Sequence, residues 1–167
     1  MAIWAKIKQL NLKQAFILGK TFLFRPGLLF PTYRATKKTV GICNRLFGKA
    51  HHKDNETNAF RHALWNFLIA EESLPQLKEK SKAIAWAKEI TDLHEKLSPN
   101  PALPRAMDLH NNQIGRNLFQ QEIPSEEIIE KLREMMKDAK QINQAEQVSN
   151  HTNRLVYIEK NKHSKIS

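Results

Sequence analysis

The chain of 167 residues is 41% hydrophobic and 26% charged, a balance that fits one globular domain with a sizeable core and excludes disorder throughout. Its single cysteine, Cys43, excludes an intramolecular disulfide and a zinc finger built on paired thiols, which points to a reducing compartment and a cytoplasmic address. The net charge of +10 sits at one end: residues 1–53 carry eleven Lys and Arg and no acid, and all seventeen acidic residues lie from Asp54 onward.

In chain order, Ile3, Ile7 and Leu10 mark a short amphipathic segment, and Leu12 to Phe24 a second. Basic residues interleaved with Trp4, Phe16, Phe22, Phe24 and Phe30 predict attraction to a polyanion, and this apolar content favours an anionic lipid surface over nucleic acid. A peripheral position at the inner membrane surface follows as an expectation. Lys20, Arg25, Pro26 and Pro31 interrupt the apolar run before it is long enough to span a bilayer. Lys20 within the run, with no convincing cleavage site after it, speaks against a cleavable leader. Alternatively, the segment packs on the domain as a helical hairpin with its basic side chains solvated.

Arg25-Pro26-Gly27 and Phe30-Pro31-Thr32 punctuate the chain ahead of a helix expected from Arg34 to Phe47, which Gly48 ends. A polar loop, His51 to Asn55, offers an N-cap for a helix from Thr57 to Glu72. That helix is apolar on most sides and is expected to be buried. Ser73 to Pro75 should close it, and a long helix to Leu97 then turns His94 inward.

Pro101 or Pro104 suits the first position of a helix reaching Gln120. Ser125 is the expected cap of the next helix, with Ile128, Leu132 and Met135 as its buried stripe. Leu155 to Ile158 reads as a short strand or a docked helical turn, and Lys160 to Ser167 as a frayed basic tail. The reading is a compact all-α domain of about five to seven helices. It divides into a basic amphipathic segment over 1–53, a helical core over 54–145 and a C-terminal segment over 146–167.

Polar residues on buried helical faces need partners, since each unsatisfied group costs roughly 1–3 kcal/mol. Asn58, His62 and Trp65 share a stripe of the central helix with Arg61 at its edge, and Asp108, Asn111 and Asn112 sit together on the Pro104 helix. With His94 and Glu95 they are expected to converge.

Two chemistries use such a set. A divalent metal could be held by His62, His94 and Asp108, leaving a position for water. In metal-free acid-base work, Asp108 or Glu95 orients a histidine that takes a proton. The catalytic candidates are therefore His62, His94, Glu95 and Asp108, and the substrate-binding candidates are Asn58, Arg61, Trp65, Asn111 and Asn112. His110 lies on a different face, and His51 and His52 read as loop residues.

The strings NAFRHALW (Asn58 to Trp65), TDLHE (Thr91 to Glu95) and MDLHNNQIGR (Met107 to Arg116) resemble a bacterial family of uncharacterised helical domains, a domain of unknown function. The resemblance covers Asp54 to Phe119. It implies that His62, His94, Glu95, Asp108, Asn111 and Asn112 share one site, and it implies no particular reaction. The order His, His-Glu, Asp is also similar to the His, His-Asp, Asp pattern of helical metal phosphohydrolases. It departs from that pattern because Glu95 stands in place of Asp, only thirteen positions before Asp108.

The leading functional expectation is a hydrolase, metal-dependent or His-based, acting on a phosphate or acyl ester such as a phospholipid. The alternative is a non-catalytic helical module whose polar residues fix packing while the basic segment binds membrane or a protein partner.

Overall fold

The computed structural model describes residues 12–97 and 100–159, except for the side chains of 12–15, 17 and 18. The expected amphipathic segment over Ile3–Leu10 and the basic tail over 160–167 lie outside the described residues. Six α-helices follow one another among those described: α1 (Leu12–Leu23), α2 (Leu29–Phe47), α3 (Glu56–Leu77), α4 (Lys80–Leu97), α5 (Ala102–Gln120) and α6 (Ile128–Lys137). The fold is compact and all-α.

Helix α3 is the axis of the molecule, packed on α2, α4, α5 and α6. Its start follows from Asn55, whose side-chain oxygen accepts from the backbone N–H groups of Thr57 at 3.1 Å and Asn58 at 3.2 Å. Phe60, Leu64, Phe67 and Leu68 are all but fully buried around it, each contributing about 1.5–3 kcal/mol of hydrophobic stabilisation. Gly115 on α5 lets that helix lie directly against the backbone of α3. A Cβ there would lie 2.7 Å from the carbonyl carbon of Ala63 and 2.9 Å from its Cα.

Two expected helix boundaries shift, both at prolines. Helix α2 begins at Leu29 rather than Arg34, because Pro31 falls in its first turn, where an N–H has no intrahelical acceptor to lose. Helix α3 runs through Pro75 to Leu77, and Lys78 ends it with a left-handed backbone (φ 56°). The expected cap Ser125 is likewise displaced: it lies in a turn, and Glu127 holds the N-cap position of α6 without a side-chain cap bond.

The apolar run near the C-terminus contains a strand. Val156–Tyr157 (β2) pairs in parallel with Lys140–Gln141 (β1). Leu155 and Val156 are fully buried, so this part of the chain belongs to the packed body. Helix α2 does too, since Ala35, Ile42 and Cys43 join the same core as α3.

Candidate functional site

A cavity of about 580 Å³ opens beside the N-terminal half of α3. Thr36, Thr39 and Val40 of α2 form one wall, and Asn58, Arg61, His62 and Trp65 of α3 form another. Lys49, His51, His52 and Asp54 close one end, while His94, Asn100 and Asp108 complete the lining. Three strings far apart in sequence therefore meet, as the periodicity predicts.

His62 is the centre of the arrangement and is 2% exposed. Its Nδ1 lies 3.1 Å from Asn112 Oδ1, an oxygen that can only accept, so Nδ1 carries the ring proton. The carboxamide orientation is fixed from behind. Arg116 Nη1, a pure donor, bonds Asn66 Oδ1 at 2.7 Å, which leaves Asn66 Nδ2 to donate to Asn112 Oδ1 at 2.7 Å.

The consequence is that His62 Nε2 faces the cavity. It accepts from Arg61 Nη2 at 2.8 Å and lies 3.2 Å from Asp108 Oδ1. These neighbours make opposite demands: Arg61 needs a lone pair on Nε2, whereas the Asp108 carboxylate needs a positive charge between itself and the ring.

One ligand atom from each of His62, Glu95 and Asp108 lies within 4.8 Å of the others. Glu95 takes the place expected of His94. Successive residues on a helix point about 100° apart, so α4 can aim only one of the pair inward. Glu95 is 2% exposed, while the half-buried His94 stays on the cavity wall, its ring edge-on to Trp65 with centroids 5.2 Å apart. One imidazole and two carboxylates suit a borderline or hard divalent ion. The bond from His62 Nδ1–H to a fixed acceptor is the usual support behind a metal-binding histidine.

Arg61 is held by the carbonyl of His51 at 2.7 Å and Asn58 Oδ1 at 3.1 Å. Burial pulls its guanidinium below the ordinary value, with Asp108 the strongest opposing charge. Trp65 donates its indole N–H to Thr36 Oγ1 at 2.9 Å.

Two residues expected at the substrate lie elsewhere. Asn111 is turned away from the cavity: it donates to the carbonyl of Val156 at 2.9 Å and accepts from the Val156 N–H at 3.0 Å, which anchors β2. Asn112 is fully buried behind the imidazole and acts through it. His110 also faces away, against the carbonyl of Arg154.

The expectation of a loop at His51 is corrected, since Ala50–His52 is a 3-10 turn and His51 is fully buried. Sequence reasoning also passed over Asn66 and Arg116. Each lies four residues beyond a residue already singled out, His62 and Asn112, and that spacing was the available signal.

No curated protein and no solved structure matches the chain. A family model, the domain of unknown function DUF6973, matches residues 19–140, which take in α2 as well as all three strings of the site; the chain belongs to that family.

Proposed function

We propose that this chain is a divalent-metal-dependent hydrolase of phosphate esters, with His62, Glu95 and Asp108 as the metal ligands. The observation that carries the reading is the convergence of these three donors within 4.8 Å, two of which, His62 and Asp108, line a large cavity. Support also comes from the 3.2 Å approach of the Asp108 carboxylate to Nε2, because a cation there would answer that charge and take the Nε2 lone pair, releasing the Arg61 N–H that now donates to it. When bound, such an ion lowers the pKa of a coordinated water and polarises the ester.

The surrounding residues suit an anionic substrate. Lys49, Arg61, His52 and His94 face the cavity against Asp54 and Asp108, and Arg61 is placed to stabilise charge developing on phosphoryl oxygens. Attack of water on phosphorus breaks the P–O bond to the alcohol, and the proton that the water gives up ends on the displaced alkoxide. We extend the reading to a phospholipid headgroup at a peripheral membrane position, because the exposed aromatic part of α2 lies one turn from the cavity residue Thr36.

The test is hydrolysis of bis-p-nitrophenyl phosphate, p-nitrophenyl phosphate and p-nitrophenyl acetate by protein loaded with Mn²⁺ or Zn²⁺. A phosphate ester should be cleaved, and His62→Ala should lower kcat/KM about 100-fold or more. Inactivity of the parent, or equal activity of His62→Ala, overturns the reading. The deep burial of His62 favours a second one, a polar core that fixes helix packing without turnover. It predicts that His62→Ala loses stability while the parent neither binds metal nor cleaves ester.

A further inference from the structure

The large exposed hydrophobic side chains among the described residues are Phe16, Leu23, Phe24, Leu29, Phe30 and Tyr33, with exposures from 39% to 75%. All six fall on α1, α2 and the bend between them. Exposed apolar surface gathered in one place, rather than scattered singly, marks an interaction site.

The chemistry of the surface identifies the partner. On α1, Phe16, Lys20 and Leu23 follow one another at four- and three-residue steps along an exposed stripe, and Phe24 is exposed in the turn just beyond it. On α2, Phe30, Tyr33 and Lys37 do the same at steps of three and four. Each helix thus turns large apolar side chains and a lysine outward together. On the inward side, Phe22 meets Trp86 edge-on at 5.7 Å.

Three other basic side chains tie this region to the body: Arg25 pairs with Glu89, Arg34 with Glu72 and Lys38 with Glu71. With no acidic residue before Asp54, the surface has no negative charge of its own to repel an anion. No described helix is long and apolar enough to cross a membrane, and a basic, aromatic helix of that kind lies in the headgroup layer.

We propose that the outward stripes of α1 and α2 dock the chain on an anionic lipid bilayer, with Lys20 and Lys37 at the headgroups and Phe16, Phe24 and Phe30 seated among the upper acyl chains. The docked face would bring the α2 wall of the cavity to the lipid surface, since Tyr33 precedes Thr36 by one turn. The inference rests on this surface and not on the metal site.

The experiment is flotation of the full chain with phosphatidylcholine vesicles, with and without phosphatidylglycerol. The parent should float only with the anionic vesicles, and added salt should weaken binding. Phe24→Ser/Phe30→Ser and Lys20→Glu/Lys37→Glu should each lower the bound fraction about tenfold or more, with helix content unchanged by circular dichroism. A parent that fails to float, floats equally on neutral vesicles, or is matched by both double variants overturns the proposal. So does a dimer that Phe24→Ser/Phe30→Ser dissolves in a parent that binds no vesicle, which would assign the face to a second copy. His62→Ala should float like the parent, so failure of the hydrolase reading and failure of docking give different results.

Discussion

Arg116 Nη1 donates to Asn66 Oδ1 at 2.7 Å, and through that bond a buried cation on α5 dictates which nitrogen of an imidazole on α3 carries the proton. Asn66 passes the orientation to Asn112, and Asn112 passes it to His62. Asn112→Leu removes the acceptor and strands Nδ1–H, with an expected loss of about 1–3 kcal/mol. Metal affinity should fall about 10–100-fold. Arg116→Met should act in the same direction. Nitrogen-15 NMR of the histidine ring separates orientation from mere destabilisation, since the parent should show Nδ1 protonated and the variants a mixed tautomer. A ring signal unchanged in Asn112→Leu sinks the relay.

Glu95 and Asp108 differ from His94, a ligand expected from sequence, in what their neutral variants should do. Glu95→Gln and Asp108→Asn keep shape and remove an anion, so Mn²⁺ affinity measured by titration calorimetry should drop about tenfold or more in each. His94→Gln should change it little, because His94 lies on the wall against Trp65 and outside the three-donor group. A larger loss from His94→Gln than from Glu95→Gln would restore the ligand set expected from sequence.

Gly115 carries a conformational penalty in a helix of about 0.8–1 kcal/mol relative to alanine, and Gly115→Ala should nonetheless destabilise. The new methyl would overlap the Ala63 carbonyl, which is backbone and cannot rotate aside. Overpacking of this kind costs about 1–3 kcal/mol or more, roughly 2–12 °C in Tm for a chain of this size. The forced separation of α3 from α5 also lengthens the His62 to Asn112 bond, so metal affinity should fall with Tm. An alanine variant as stable as the parent would show that the helices slide apart freely.

Much of this arrangement was legible because helical periodicity is strict. His62 and Asp108 each announce an inward face by their three- and four-residue neighbours, and the buried stripe of α3 left no other place for them. The swap of Glu95 for His94 was not legible, because adjacent residues straddle the core boundary and a small rotation of α4 decides between them. Asn111 and Asn112 posed the same difficulty. One bonds β2 and the other His62, and β2 was itself ambiguous in a four-residue apolar run. Pro31 and Pro75 misled in a different way: Pro31 falls in a first turn, where the N–H it lacks has no intrahelical acceptor, whereas Pro75 lies inside α3 and the helix runs two residues past it despite the lost hydrogen bond.

His51 gives the molecule a pH dependence whose sign follows from its surroundings. Burial, and then the neighbouring His52 ring 4.0 Å away, hold its imidazole at about 4, below the ordinary 6.5. Between those values the unfolded chain binds a proton that the folded chain refuses. The stability this residue contributes is therefore complete above pH 6.5 and is lost as pH falls from 6.5 through 4, to a ceiling of about 3 kcal/mol. His51→Gln keeps an amide donor for Asn44 Oδ1, the acceptor now 2.8 Å from Nε2, and has nothing to titrate. Thermal melts at pH 7, 6, 5 and 4 should show Tm declining less in the variant than in the parent, with the curves converging toward acid. Parallel curves would mean that His51 takes up its proton alike in the folded and unfolded chain, and the wall it forms behind Arg61 would then become charged in acid.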